Sequence, residues 1–333
     1  MLQTRLTKLL DIEHPVIAAP MGSVSGGRLA AAVSSAGGFG LIGGGYGDGD
    51  WLEREFDAAG NARIGCGFIT WSLERKPQLL DDVLKRRPAA IMLSFGDPAM
   101  FAPAVKTAGA RLMCQVQCMR HAREAVEVGA DIIVAQGAEA GGHGLSRSTL
   151  TLVPEVADFL ANAAPQTVLV AAGGIADGRG LAAALMLGAE GVLIGSRLCA
   201  SEEALVHPAF QKRIIEEDGD NTVRTTAVDV IRNFDWPKPF TARVVKTGFV
   251  DQWHGRETLL GDTTLRDRER ERYLAAMKRG DAENTAVWVG EAAGLIHSVR
   301  PAAEIVTNIV AQAESLLGQR RTSQDPRSAI ATD

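Results

Sequence analysis

The chain has 333 residues and a formal net charge of −5, with 46% hydrophobic and 23% charged residues. This balance is typical of a globular protein with a sizeable core, and its acidic sign argues against a general binder of the nucleic-acid backbone. Aromatic residues make up only 5% of the chain, which leaves little support for a base-stacking surface. Glycine reaches 36 residues and is clustered, which indicates tight turns or backbone that lies close to a ligand.

The cysteines and the N-terminal residues give no sign of metal binding or secretion. The four cysteines, Cys66, Cys114, Cys118 and Cys199, form no CxxC pair, so we expect reduced thiols and no metal site. The first residues lack the apolar segment of a secretory signal. No apolar run reaches the roughly 18 residues of a membrane helix. We therefore expect a cytoplasmic protein that binds neither a membrane nor nucleic acid.

Short apolar runs recur along the first two-thirds of the chain, and most precede a stretch with helical spacing. The runs are 16–21, 39–42, 63–69, 90–95, 112–117, 131–136, 167–172 and 192–196, and helices are predicted at 27–35, 77–86, 98–108, 120–128 and 178–187. Nearly all the runs are continuously apolar, which is typical of parallel strands buried on both faces. Alternation of strand and helix excludes a β-sandwich. Eight such units in sequence favour a (β/α)8 TIM barrel over an open, doubly wound α/β sheet.

The pattern changes after the eighth run. We assign 1–204 to the barrel, completed by about 291–318, 205–290 to a smaller helical cap, and 319–333 to a polar, disordered tail. The aromatic residues of the cap are predicted to close an apolar pocket over the barrel. They are Phe234, Trp236, Phe240, Phe249 and Trp253.

Glycines lie where the predicted strands end. Gly173 and Gly174 follow the seventh strand, and Gly195 and Ser196 follow the eighth. Ligands of a parallel barrel bind at the C-terminal ends of its strands, and the loops after strands seven and eight often hold a phosphate. One Gly-Gly pair could be only a tight turn, but both loops in this order favour phosphate binding. Small residues at 18–22, after the first strand, leave room for a flat ring.

The predicted sixth strand ends in a glycine-rich loop, 136–144, that contains His143. His143 lies between glycines rather than on the apolar face of a helix, where a core histidine usually sits. A histidine at the C-terminal end of a barrel strand is well placed for proton transfer. We therefore predict that His143 is functional, while Glu139 either supports the site or stabilises the loop.

Five segments together resemble the nitronate monooxygenase family, formerly called 2-nitropropane dioxygenases. They are 18–21, 32–40, 136–144, 172–180 and 195–197, and they include AEAGGH, AGGIADGRG and GSR in that order. Members of this family are FMN enzymes built on a (β/α)8 barrel with a smaller cap. The resemblance implies a metal-independent reaction in which an alkyl nitronate and O2 give a carbonyl compound and nitrite.

The resemblance also implies roles for individual residues. The segment after the first strand would run along the isoalloxazine ring, two glutamines would contact the ring or the ribityl chain, and the glycine loops would hold the phosphate. His143 would act beside the flavin, either as a base or as the electrostatic partner of an anionic substrate. The implied cofactor-binding residues are Ala19, Pro20, Met21, Gln115, Gln136, Gly142, Gly173, Gly174, Gly195 and Ser196.

The sequence departs from the family at two strands. Many relatives carry Gly-Val-Asn on the third strand, where this chain has Gly65-Cys66-Gly67, and some carry lysine at the position of Gln115. The main alternative is an NAD(P)H-dependent FMN reductase acting on quinones or enoyl thioesters, because flavin-dependent enoyl reductases share the same glycine motifs. A flavin-free barrel acting on a phosphorylated sugar and a non-enzymatic binding barrel are more distant alternatives. A homodimer fits any of them.

Overall fold

The computed structural model describes residues 2–323 of the chain, and for 319–323 it describes the backbone alone. These residues contain eleven strands. In chain order they are β1 (Val16–Ala18), β2 (Gly40–Gly43), β3 (Ile64–Ile69), β4 (Ala90–Ser94), β5 (Arg111–Val116), β6 (Ile132–Gln136), β7 (Gly142–Gly144), β8 (Val168–Ala172), β9 (Val192–Ile194), β10 (Thr222–Thr225) and β11 (Thr241–Val245).

Eight parallel strands form the predicted barrel. Their order is β1-β9-β8-β6-β5-β4-β3-β2, and a parallel bridge between Ile17 and Phe39 joins the first strand to the chain entering β2. The Ala18 N–H donates to the Phe39 carbonyl at 2.9 Å across this seam. All eight predicted strands are confirmed, and the open doubly wound sheet is excluded.

The apolar runs are continuous because the barrel has a core on each side of its sheet. Along β6, Ile132 and Val134 pack into the barrel interior, whereas Ile133 and Ala135 pack against the surrounding helices. Successive side chains of a strand point to opposite faces. A strand buried on both faces therefore has no polar alternation.

The helices surround the barrel and build the cap. They are α1 (Arg5–Leu10), α2 (Gly27–Ser35), α3 (Gly49–Ala59), α4 (Thr70–Leu73), α5 (Gln78–Lys85), α6 (Ala102–Thr107), α7 (Met119–Glu127), α8 (Thr149–Ala163), α9 (Gly178–Met186), α10 (Ser196–Cys199), α11 (Pro208–Glu216), α12 (Ala227–Arg232), α13 (Gly248–Trp253), α14 (Thr263–Arg279) and α15 (Ala302–Ser323). Within residues 2–323, none of them has the length and apolar character needed to cross a membrane.

The last helix begins later and ends later than the segment of about 291–318 that we assigned to complete the barrel. Between α14 and α15 the chain is irregular apart from short 3-10 turns at Ala282–Asn284 and Glu291–Leu295, and Pro301 directly precedes the helix. The helix packs against α9 and α2, and its Gln312 side chain accepts from the Gly178 N–H at 2.7 Å. The predicted tail begins inside α15, and residues 324–333 lie outside the described part of the chain.

The cap is helical for most of its length but also contains a small antiparallel sheet. Strand β10 pairs with β11, and β11 pairs with β7 from the glycine-rich loop after β6. The predicted helical cap therefore also contains two strands that the sequence did not indicate. Sequence reasoning missed them because each is short and partly polar, and because the ladder of β11 is completed by residues about a hundred positions earlier in the chain.

Candidate functional site

The ends of β1 and β9 bring two predicted cofactor segments together. Val16–Ala18 pairs in register with Val192–Ile194, so the residues that follow each strand become neighbours. A Cβ added at Gly195 would lie 3.5 Å from both Ala19 Cβ and Met21 Sδ. The Ser196 hydroxyl oxygen accepts from the Gly290 N–H at 2.8 Å, which leaves its proton free to be donated to a ligand.

The two glycines after β8 have positive φ angles, +101° at Gly173 and +72° at Gly174. This left-handed region favours glycine. A Cβ at Gly173 would also lie 2.9 Å from the Thr149 hydroxyl, so packing alone accounts for that glycine. Gly174 is exposed, and its backbone is therefore accessible to a ligand.

Glu139 stabilises the loop after β6. Each of its carboxylate oxygens lies 3.0 Å from the Thr149 backbone N–H, and one accepts from the Thr149 hydroxyl at 2.8 Å. The carboxylate thus caps the N-terminus of α8, where a negative charge is favourable. Of the two roles considered for Glu139, loop stabilisation is the one its contacts support.

The ends of β4, β5 and β6 carry polar side chains. Gln115 accepts from the Ser94 hydroxyl at 3.0 Å, while its buried Nε2 has no hydrogen-bond partner among the described residues. Gln136 accepts from the Gln117 amide at 3.1 Å. A buried amide donor without a partner is costly, about 1–3 kcal/mol, so the Gln115 amide is poised for a ligand acceptor. Sequence reasoning missed Gln117, although a polar residue directly after an apolar strand was a usable signal.

His143 lies on β7, next to Ala242 of the cap sheet, and its side chain is 8% exposed. Its Nε2 is 2.9 and 3.0 Å from the two carboxylate oxygens of Asp229. Since a carboxylate can only accept, Nε2 carries the proton. Burial lowers the pKa of His143 below its ordinary value, and the bond to Asp229 opposes this shift without overcoming it. The imidazole is therefore neutral at neutral pH.

Aromatic residues cover this histidine. The Trp236 ring stacks on the imidazole with 3.4 Å between centroids and 7° between planes, and its indole N–H donates to the Tyr46 hydroxyl at 2.9 Å. Tyr46 stacks in turn on Phe234 at 3.8 Å. Burial raises the pKa of Tyr46 to about 12, so this phenol stays protonated.

The predicted aromatic cover is confirmed for three residues and wrong for two. Phe234, Trp236 and Phe240 join the cluster around His143. Phe249 and Trp253 instead pack in the apolar core of the cap. The barrel side of the cluster, which sequence reasoning missed, is Tyr46, Trp71 and Phe95.

Positive charge gathers on the cap side of the site. The Arg232 guanidinium lies over the Phe234, Tyr46 and Trp288 rings at 4.5, 5.6 and 5.7 Å. Arg224 donates to the Ala138 carbonyl at 3.1 Å, and burial lowers the pKa of Arg224 to about 10. The guanidinium groups of Arg232 and Arg224 suit an anionic ligand. The cap sequence alone did not indicate that these two arginines lie at the site.

Packing around Pro20 restricts the end of β3. A Cβ added at Gly67 would lie 2.3 Å from the Pro20 ring. An asparagine side chain at position 67 therefore cannot fit in this chain unless Pro20 moves.

Two observations, the exposure of the predicted cofactor residues and the open space beside Gly142, are consistent with a bound flavin. Nine of them are half-buried and Gly174 is exposed, although all but Gly142 lie at or just after the ends of buried strands. Gly142 has a φ of +75°, and a Cβ there would meet nothing within 4 Å, so open space adjoins the backbone beside His143. The loops after β8 and β9 suit the phosphate, and the end of β1 with the Gln115 amide suits the ring.

The barrel, its glycine loops and the buried His143 under Trp236 are the features of a flavin-dependent (β/α)8 oxidoreductase. The family model described as nitronate monooxygenase matches residues 3–62 and 70–312. The chain belongs to the nitronate monooxygenase family.

Individual similar proteins include one named as a nitronate monooxygenase and two with other names. The nitronate monooxygenase npaC of Metarhizium robertsii is 37% identical over 91% of this chain and 91% of its own length. A Mycobacterium tuberculosis protein named (3aS,4S,5R,7aS)-5-hydroxy-7a-methyl-1-oxo-octahydro-1H-indene-4-carboxyl-CoA dehydrogenase is 33% identical over 68% of this chain and 64% of its own. The structure of FabK from Thermotoga maritima superposes with a TM-score of 0.84 at 31% identity, covering 97% of this chain and all of that one.

Proposed function

We propose that the protein is an FMN-dependent nitronate monooxygenase, which converts an alkyl nitronate and O2 to a carbonyl compound and nitrite. The observation that carries this proposal is His143, a buried neutral imidazole beside the glycine loops, in a chain of the nitronate monooxygenase family. The cytoplasmic location predicted from the sequence belongs to the same proposal, as does a homodimer, which the sequence allows.

FMN, when bound, would supply one-electron oxidation of the substrate and reaction with O2. The chain would hold its phosphate with the backbone of Gly174 and Gly195 and the Ser196 hydroxyl. Ala19–Met21 would lie along the ring, and the unpartnered Gln115 amide would donate to a ring acceptor. Gln136, Gly142 and Gly173 complete the proposed set of cofactor residues.

His143 would accept a proton from the substrate and stabilise its negative charge. A neutral nitroalkane, unlike a nitronate, still carries a proton on the carbon beside the nitro group. Because Asp229 holds the imidazole proton on Nε2, Nδ1 can accept that carbon-bound proton and form the nitronate. The imidazolium so formed would hold the resulting anion, and Arg232 and Arg224 add positive charge nearby. The stacked Trp236 covers the imidazole face and limits access of water.

The proposal is tested by anaerobic mixing of the FMN-loaded protein with propyl-2-nitronate, NADH or NADPH in separate experiments. We expect the flavin absorbance to bleach with the nitronate and to persist with either nicotinamide. Admission of air should then yield acetone and nitrite. Rapid bleaching by NADH or NADPH, with none by the nitronate, would overturn the assignment.

A second candidate is an NAD(P)H-dependent FMN reductase acting on an enoyl thioester or a quinone. It is favoured by the Mycobacterium tuberculosis relative, whose name describes a carboxyl-CoA substrate. Under this candidate, NADH or NADPH reduces the flavin, and an enoyl-CoA or a quinone restores its absorbance without oxygen. The same anaerobic experiment separates the two functions.

A further inference from the structure

The buried acid Asp229 faces His143 from the cap. We propose that Asp229 is the positioning residue for His143, fixing the imidazole proton on Nε2 so that Nδ1 is the reacting nitrogen. This inference rests on the proposed role of His143 and assigns a function to a residue that sequence reasoning did not single out.

The geometry of the pair is that of a bifurcated hydrogen bond between buried groups. Both carboxylate oxygens lie within 3.0 Å of Nε2, and the Asp229 side chain is only 4% exposed. Burying a carboxylate is costly unless it is paired. Nε2 of His143 is the partner that the structure provides.

A rigid helix holds the carboxylate in place. Asp229 lies in the first turn of α12, whose Val228 and Ile231 are fully buried in the cap core. The helix begins beside a bond from the Ala227 N–H to the Thr225 hydroxyl at 3.1 Å and ends at Asn233 in the left-handed conformation. The carboxylate is therefore positioned by packed structure rather than by a loop.

The imidazole is restrained from two other sides. Its backbone belongs to β7, paired with β11 through His143 and Ala242. Trp236 lies flat against one face of the ring. The imidazole ring is thus held by Asp229, by Trp236 and by its own strand, and these contacts leave it one orientation. A fixed orientation is needed to direct one particular nitrogen at a substrate.

The charged and titratable groups around the ring come from three elements. Asp229 and Arg232 lie on α12, Arg224 lies on β10, and Tyr46 follows β2 and reaches the ring through Trp236. Asp229 raises the pKa of His143, whereas Arg232 and Arg224 lower it. Removal of the Asp229 charge should therefore shift the titration of His143 to lower pH.

The proton moves from a neutral nitroalkane to His143, and the nitronate formed is the substrate of the proposed oxidation. Nδ1 takes a proton from the carbon next to the nitro group, and the electrons of that C–H bond form the carbon–nitrogen double bond of the nitronate. The imidazole becomes an imidazolium, and the substrate becomes an anion. Asp229 stabilises the new positive charge and is not itself protonated.

The test compares Asp229→Asn and Asp229→Glu with Asp267→Asn, an exposed acid of α14 in the same cap. In FMN-loaded enzyme with 2-nitropropane, we expect Asp229→Asn to lower kcat by up to about 10⁴-fold, the loss that the same change causes in a Ser-His-Asp triad through the wrong imidazole tautomer, with KM little changed. The acid limb of the pH profile should move to lower pH. Asp229→Glu should recover part of kcat, and Asp267→Asn should match the wild type.

A second measurement needs no turnover and no Asp229 variant. Nitrogen-15 NMR of histidine-labelled wild-type protein at neutral pH should show His143 protonated at Nε2 alone, its signal identified by its loss in His143→Gln. A proton on Nδ1, or on both nitrogens, overturns the inference. So does an Asp229→Asn enzyme with unchanged kcat and pH profile.

The activities of His143→Gln and Asp229→Asn distinguish an error about His143 from an error about Asp229. If His143→Gln turns over normally, the proposed role of His143 is wrong. If His143→Gln is inactive while Asp229→Asn is fully active, only the positioning role of Asp229 is wrong.

Discussion

The two sides of the candidate site are built differently. The side formed by the loops after β8 and β9 offers backbone and small residues, Gly174, Gly195 and Ser196, at the ends of adjacent strands. The opposite side is made of bulky side chains around His143, contributed by the barrel and by the cap. The first surface suits a cofactor phosphate, which backbone groups can bind. The second surface suits a substrate, because it carries the acid–base group His143.

This difference has a physical cause. A phosphate needs N–H donors and close approach, which glycine turns at strand ends provide without help from elsewhere in the chain. A proton-transfer group needs a controlled pKa and a fixed orientation, which require burial and partners. Variants on the two sides should therefore fail differently, either by loss of cofactor or by loss of turnover.

The largest effect is expected for His143→Gln. Loss of the acid–base group should lower kcat by about 10²–10⁴-fold, while FMN occupancy stays unchanged because the phosphate side is intact. Steady-state kinetics and the flavin absorbance of the purified protein measure both quantities. The control is His254→Gln, which changes an exposed histidine of the cap and should have no effect. If His143→Gln loses both flavin and activity, the two sides of the site do not have separate roles.

The next effect is expected for Gly174→Val. Its side chain would enter the phosphate loop and strain a φ of +72°, so the Kd for FMN should rise at least about tenfold, or 1.4 kcal/mol. Titration of the apoprotein with FMN gives the Kd directly. Gly109→Val carries the same strain at a φ of +75° where a Cβ meets nothing, so it should bind FMN normally. Equal affinity in both variants would count against Gly174 as a phosphate residue.

A smaller effect is expected for Trp236→Ala. Loss of the ring stacked on His143 should raise KM about 3- to 10-fold, since aromatic stacking contributes about 0.5–1.5 kcal/mol. Thermal unfolding should change little, because Trp236 is half-buried. Trp253→Ala, in the cap core, should instead cost about 3–5 kcal/mol of unfolding free energy. The reverse pattern would mean that Trp236 is part of the cap core rather than a cover for the site.

The smallest effect concerns pH. Burial lowers the pKa of His143, and a base is active when unprotonated, so kcat/KM for 2-nitropropane should stay constant down to about pH 6.5 and fall only below it. A pH series on the FMN-loaded wild type measures this limb. An acid limb above pH 7 would show that the histidine is not desolvated as the structure indicates.

Much of the barrel could be predicted because its signals are local. Each strand is a short apolar run followed by helical spacing, and the helix Gly27–Ser35 has the bounds that the sequence predicted. The glycines at 173–174 and 195 could also be placed, since any residue that ends a parallel strand lies at the same edge of the barrel. His143 was found by its glycine neighbours.

The cap side could not be predicted in the same way. Nothing near Asp229 in the sequence distinguishes it from the exposed acids of the cap, and it lies 86 residues from His143. Trp236 and Trp253 look alike in the sequence, yet one covers the site and the other fills the cap core. Strands β10 and β11 were missed because β11 is completed by β7, a pairing that local pattern does not encode.

By itself, the sequence determined the barrel, the order of its strands along the chain and the glycine turns at the strand ends, because each depends on neighbouring residues and on a repeated unit. The tertiary structure decided the proton-bearing nitrogen of His143, the aromatic cover and the arginines near it. Those features depend on contacts between residues far apart in the chain, whose burial and pairing exist only once the cap is packed on the barrel.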